Sequence, residues 1–92
     1  MDWLAATKSF CLLAEHGSFT KAANLTEISP SAMSKRIDWL EKQLGLSLFI
    51  RTTRQVTLTE QGADFLAKAK NIVSQFDNMI TEAQQGAYQP SG

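Results

Sequence analysis

The pattern of apolar residues in this chain predicts a mainly helical domain with one short β-hairpin and a long final helix. Three observations carry that expectation. Apolar residues recur at steps of three and four in separate stretches, the pair Ser29-Pro30 supplies a capping hydroxyl followed by proline, and between Leu46 and Leu58 the period shortens. The chain has 92 residues, 43% of them hydrophobic and 20% charged, which is ordinary composition for one globular domain. A domain this small buries a modest fraction of its surface and often leans on a partner.

The first helix is expected from about Asp2 to His16, with Trp3, Ala6, Phe10, Leu13 and Ala14 on one stripe. Gly17 is placed to end it. Ser18 then has the chemistry of an N-cap for a second, short helix, whose Ala22 and Ala23 allow close approach of a neighbour. Ser29-Pro30 opens a third helix, because proline at the first helical position gives up no needed donor. Met33, Ile37, Leu40 and Leu44 follow as its buried stripe, and Gly45 stops it. Only about residues 26–28 separate the second helix from the third. A short apolar helix, a tight connection and a capped amphipathic helix make a helix-turn-helix.

Leu48-Phe49 and Val56–Leu58 read as two short strands around a polar tip, Arg51-Thr52-Thr53-Arg54-Gln55, so a small hairpin or wing is expected. Thr59 caps the last helix, with Glu60 favourably placed in its first turn. Phe65, Ala69, Ile72, Phe76, Met79 or Ile80, and Ala83 carry its stripe to about Gln85. Such a helix spans about 40 Å at 1.5 Å per residue, longer than the other three can cover. Phe65, Ala69, Ile72, Phe76 and Ile80 are therefore the expected dimer interface, with a second copy of the chain as the simplest cover. The organisation expected is a winged helix-turn-helix over residues 1–58, a linker and dimerisation helix over 59–86, and the start of a linker over 87–92, marked by Gly86 and Pro90.

Net charge is zero, which at first argues against a nucleic-acid partner. Its distribution argues the other way. Residues 18–57 hold six basic side chains (Lys21, Lys35, Arg36, Lys42, Arg51, Arg54) against three acidic ones, while both flanks are net acidic. A phosphate-binding surface needs local charge, which a whole-chain total averages away. On the third helix, Ser31, Lys35, Asp38 and Lys42 lie opposite the buried stripe, with Ser34 and Arg36 on the flanks. Small polar residues near the N-terminus let a helix sit deep in the major groove, and longer basic ones reach base edges or phosphates. A solvated surface helix has a similar face. Arg51 and Arg54, on a second element expected to face the same way, favour the DNA reading.

Other chemistry has little to build on. Cys11 is the lone cysteine and sits among apolar neighbours, as a buried small hydrophobe does. His16, the lone histidine, ends the first helix, where it complements the helix dipole. No metal-ligand spacing, glycine-rich phosphate loop or nucleophile with a base is present, so no enzyme, cofactor or metal is expected. No signal peptide or membrane-length apolar run is read, and a cytoplasmic protein is expected.

The assembled residues resemble the LysR-type transcriptional regulators over nearly the whole chain. The resemblance rests on Gly17-Ser18-Phe19-Thr20 with Ala22-Ala23, then Ser29-Pro30-Ser31-Ala32-Met33-Ser34-Lys35-Arg36-Ile37. Leu40-Glu41, Leu44-Gly45, Leu48-Phe49, Arg51-Thr52-Thr53-Arg54 and Leu58-Thr59-Glu60-Gln61-Gly62 complete it. The Ser-Pro-Ser-Ala and Arg-Thr-Thr-Arg forms are similar to one large subgroup.

That resemblance implies a domain that dimerises through the long helix and binds imperfect inverted repeats of double-stranded DNA. It implies base contacts from Pro30, Ser31, Ser34 and Lys35, minor-groove or wing contacts from Arg54, Arg51 and Thr53, and backbone contacts from Ser18, Thr20, Lys21, Arg36 and Lys42. Pro30-Ser31 stands where the family commonly has Gln-Pro, so a glutamine contact to adenine is not implied here. Thr26 occupies a usual leucine slot, and Trp39 and Ile50 stand where polar residues are common. Family members continue into a C-terminal inducer-binding domain, which is not among these 92 residues. A second function class remains open at this stage: a helical protein-interaction module whose basic face is incidental.

Overall fold

A computed structural model describes residues 1–53 and 55–88 of the chain. Four helices and one hairpin follow in order: α1 (Trp3–His16), α2 (Phe19–Thr26), α3 (Pro30–Leu44), β1 (Phe49–Arg51), β2 (Val56–Leu58) and α4 (Glu60–Tyr88). The strands pair antiparallel, with Phe49 opposite Leu58, Ile50 opposite Thr57 and Arg51 opposite Val56. The expected mainly helical architecture with a hairpin and a long last helix is the one observed.

Local chemistry sets the boundaries. Asp2 stands outside α1 as its N-cap, its carboxylate accepting the Leu4 N–H. Ser18 Oγ accepts from the Lys21 N–H and Ser29 Oγ from the Ala32 N–H, so each helix of the pair starts on a hydroxyl that satisfies an orphan donor. Gly17 and Gly45 end α1 and α3 in the left-handed region. The turn inside the helix-turn-helix uses no glycine. Glu27 takes φ +57° there, its N–H reaching the Asn24 carbonyl, while the Ile28 N–H bonds to the Ala23 carbonyl. These are the two reciprocal bonds of a Schellman ending. Thr26, in the slot the resemblance makes apolar, turns its hydroxyl back onto the Ala22 and Ala23 carbonyls and so is half-buried without an orphaned polar atom.

The core gathers at the crossing of α1, α3 and the hairpin. Phe10, Leu13, Met33, Ile37, Leu40 and Leu48 are fully buried. Phe10 is its centre, with Phe49 and Phe65 rings each 5.3 Å away at tilted or edge-on angles, the geometry aromatic quadrupoles favour.

Three sequence expectations are corrected here. Trp3 is 51% exposed rather than part of the inner stripe of α1, and Ser9 is buried in that stripe between Ala6 and Phe10. Trp3 lies one turn too early to reach the core and instead meets Trp39 edge-on, with centroids 5.0 Å apart. Cys11 is half-buried at the rim of the core. Gly86 does not end the last helix, which continues to Tyr88. One glycine costs a helix about 1 kcal/mol relative to alanine, which weakens it without stopping it. The rest of the expected linker, Pro90 included, lies outside the described residues.

Candidate nucleic-acid interface

The candidate reading face is built on α3. Its inner side is spent on Met33, Ile37 and Leu40, and its outer side leaves Pro30, Ser31, Lys35, Asp38 and Lys42 exposed, with Ser34 half-buried at the flank facing the hairpin. Pro30 occupies the first turn, so the amino end of the helix is formed without a donor being wasted. Ser31 Oγ lies 3.2 Å from Ser29 Oγ, which ties the first polar side chain of this face to the cap. On α2, Thr20 and Lys21 are exposed and Ser18 is half-buried in its capping role.

Two of the expected DNA-contacting arginines have partners inside the protein. The Arg36 guanidinium donates to Ser9 Oγ at 3.2 Å, which satisfies a buried hydroxyl and links α3 to α1. Arg51 is more heavily committed. Its Nη2 lies 2.7 Å from Asp38 Oδ1 and 3.0 Å from Glu41 Oε1, its Nη1 donates to Ser34 Oγ at 3.3 Å, and its guanidinium carbon sits 5.2 Å from the centre of the Phe19 ring. The other carboxylate oxygen of Glu41 accepts the Leu48 N–H at 2.7 Å and the Phe49 N–H at 3.3 Å. Glu41 thus holds the entry to the hairpin from one side and Arg51 from the other. Sequence reasoning missed Asp38, Glu41 and Phe19 as this arginine's partners. Ser34, Asp38 and Glu41 do fall at helical steps of four and three, but nothing local shows which strand side chain returns to that row.

The hairpin tip closes on itself. The Thr52 N–H and hydroxyl both donate to the Gln55 carbonyl, and the Gln55 N–H donates back to Thr52 Oγ1. Thr53 is exposed beside it. Arg54, the residue expected in the minor groove, lies outside the described residues.

The long helix divides its stripe. Ala69 is buried and Phe65 half-buried against α1, inside the chain's own core. Phe76 is half-buried, with Lys8 Nζ 5.1 Å from its ring centre and 3.3 Å from Asp77 Oδ1. Ile72, Met79 and Ile80 are left 58%, 54% and 41% exposed. A groove of about 390 Å³ between α1 and α4 continues this apolar surface past Trp3, Leu4, Phe65 and Ile72.

Other chemistry is sparse. Among the described residues no cluster of histidine, cysteine and carboxylate side chains could hold a metal ion, and no helix is long and apolar enough to cross a membrane. Burial pushes the Cys11 thiol up from its ordinary value, with Glu15 raising it further and Lys70 pulling the other way. A thiol of that kind is a poor nucleophile.

With this geometry in view, comparison with known proteins is specific. The sequence profile of the bacterial regulatory helix-turn-helix proteins of the lysR family matches residues 4–63. The HTH-type transcriptional regulator YbhD of Escherichia coli strain K12 is 42% identical over 77 residues, which cover 84% of this chain and 24% of that protein. The chain therefore spans about a quarter of the length of the curated relatives it matches. Among solved structures, the BenM DNA-binding domain in complex with catB site 1 DNA superposes with a TM-score of 0.89 at 32% identity, over 98% of this chain and 99% of that one. The CbnR DNA-binding domain in its DNA complex gives 0.83 at 28% identity, over 95% and 99%. Fold, motif order and sequence agree, and the chain belongs to the lysR family of bacterial regulatory helix-turn-helix proteins.

Proposed function

We propose that this chain is the operator-reading part of a transcriptional regulator and binds double-stranded DNA sequence-specifically as a homodimer. The observation that carries this reading is the polar outer face of α3, presented on a fold that superposes on DNA-binding domains crystallised with their sites. Pro30, Ser31, Ser34 and Lys35 enter the major groove and touch base edges, while Ser18, Thr20, Lys21 and Lys42 meet the phosphates alongside. Thr53 and Arg54 follow the backbone or the adjacent minor groove, where a narrow groove concentrates negative potential. Arg36 and Arg51 support this face through bonds within the chain, since both guanidiniums already have protein partners.

α4 is the dimerising helix, with Ile72, Met79 and Ile80 as the uncovered part of its stripe. Two reading helices so joined address half-sites related by a two-fold axis, about one turn of duplex apart or a multiple of it. The chain works by binding rather than by catalysis, in the cytoplasm, and inducer recognition belongs to the part of a longer regulator beyond these residues.

Selection of bound duplexes from a random pool tests this function. A two-fold-related motif is expected, bound with a steep salt dependence. Lys35→Ala should change the selected bases, and Arg54→Ala should weaken binding most at sites with a narrow minor groove. If the double variant held a selected operator at unchanged affinity and salt slope, this reading surface would be wrong. No selected motif at all would favour the protein-interaction module instead.

A further inference from the structure

We infer that Arg51 is a positioning residue for base recognition: by donating to the Ser34 hydroxyl it biases that group toward donating in turn, so that Ser34 favours an acceptor edge of a base. The inference rests on the proposed DNA-reading function and adds what one side chain of that face can discriminate.

A serine hydroxyl has one proton and two lone pairs and rotates to suit its surroundings, so by itself it accepts and donates alike. Such a group discriminates poorly between an amino group and a carbonyl or ring nitrogen on a base edge. Here Arg51 Nη1 donates to Ser34 Oγ at 3.3 Å. A guanidinium has no acceptor, so the direction of this bond is fixed and the Ser34 proton must point elsewhere. Among the described residues no acceptor within the protein takes that proton. Ser34 is half-buried on the flank of α3 that faces the hairpin, one turn on from Pro30, so its free proton can turn toward the side that carries Ser31 and Lys35. Donation from a cation also polarises the hydroxyl and makes it the better donor.

The anchoring of Arg51 makes this a fixed arrangement. Its Nη2 is held by Asp38 and Glu41, and its guanidinium carbon lies 5.2 Å from the centre of the Phe19 ring. Glu41 is in turn bonded to two backbone N–H groups at the hairpin entry. The fork geometry carries the argument: one guanidinium reaches the carboxylates with one nitrogen and Ser34 with the other, which a single ammonium does not reproduce. Acceptors available in the major groove are purine N7, guanine O6 and thymine O4, whereas the cytosine and adenine amino groups are donors and meet a hydroxyl with one lone pair already taken and its oxygen drained by a cation, so they are disfavoured.

The test compares base preferences selected by the 92-residue chain with those of Ser34→Ala, Arg51→Lys and the double variant, each checked for folding by its melting curve. Ser34→Ala identifies the base pair that Ser34 reads. Arg51→Lys is expected to relax preference at that same pair by about three- to tenfold, as the loss of one hydrogen bond does, and to change nothing further when Ser34 is already alanine. Unchanged preference at that pair overturns the inference, as does a further change in the Ser34→Ala background, which would make Arg51 a DNA contact in its own right. Asp38→Asn, an exposed substitution at the shortest anchor of Arg51, is the second arm should Arg51→Lys fail to fold. It is expected to relax the same pair in part, and no change there overturns the inference equally. A wild-type chain that selects no motif sinks the DNA-reading function itself, which separates the two failures.

Discussion

Gly62, in the first turn of α4, lies directly against the Leu48 carbonyl: a Cβ at this position would stand 2.9 Å from the carbonyl carbon and nearer still to its oxygen. Thr59 holds the two segments at this distance. Its N–H donates to Leu48 O, its hydroxyl donates to Ser47 O, and Gly62 N–H donates back to its Oγ1. The obstacle is backbone on both sides, so no side chain can swing away. Gly62→Ala is therefore expected to lose about 1–3 kcal/mol of stability through overpacking, despite alanine's better helix propensity of about 1 kcal/mol. Thermal or urea unfolding followed by circular dichroism measures this. An alanine variant as stable as the parent would show that the approach of α4 to the hairpin is not held.

The opposite sign is expected at Glu27. This residue ends α2 at φ +57° without the freedom of a glycine, and a side chain in that region is disfavoured by about 1–2 kcal/mol. Glu27→Gly relieves that while giving back part of it through a more flexible unfolded chain. A net gain of about 0.5–1 kcal/mol in urea unfolding is the expected result. A loss would mean that the Glu27 side chain contributes something beyond closing the turn.

Glu41 ties the hairpin to α3 through bonds to both backbone and side chain. Its carboxylate is mostly buried and accepts from two backbone N–H groups and from Arg51. Glu41→Ala strands those two N–H donors and leaves Arg51 with the exposed Asp38 as its one remaining carboxylate. A loss of about 2–4 kcal/mol is expected, at about 1.5–3 kcal/mol for a charge-assisted bond and less for the remainder. Hydrogen exchange at the Leu48 and Phe49 amides should accelerate more than exchange within α1. Equal acceleration everywhere would mean a global loss and not a local one.

For the proposed homodimer, Ile72 and Ile80 are the informative positions because neither is used by the chain's own core. Ile72→Asp combined with Ile80→Asp should leave the melting of a dilute, monomeric sample little changed. In sedimentation experiments the same variant should shift the population from dimer to monomer, since buried carboxylates without partners oppose association. Affinity for a two-half-site duplex should fall much more than affinity for a single half-site. Unchanged sedimentation would remove this face from the interface.

Much of the fold was legible because it is written in local chemistry. Ser18, Ser29 and Thr59 cap the helices they were expected to cap, Gly17 and Gly45 end theirs, and Met33, Ile37 and Leu40 face inward at helical steps. What could not be read is long-range. The burial of Ser9 depends on a guanidinium 27 residues away, the exposure of Trp3 on where α3 sets Trp39, and the close approach at Gly62 on a carbonyl across the hairpin. The same holds for the candidate interface. The outer face of α3 follows from periodicity, but a basic residue on a hairpin tells nothing of whether its charge is already taken. Arg51 was expected on the DNA-facing wing, and in the structure its guanidinium is paired with Asp38 and Glu41.

The stack of Phe49, Phe10 and Phe65 has a mechanical meaning. Hairpin, first helix and long helix meet ring to ring at 5.3 Å on either side of one fully buried side chain, and close-packed interiors transmit strain rather than absorb it. Lys8, two residues before Phe10 on α1, adds a second strut to α4 through Phe76 and Asp77. The long helix is thus a rod welded to its head, not a tether. In the proposed homodimer, two heads joined through such rods would behave as calipers with a fixed opening, and would tolerate insertion of a few base pairs between half-sites far less than heads joined by slack chain.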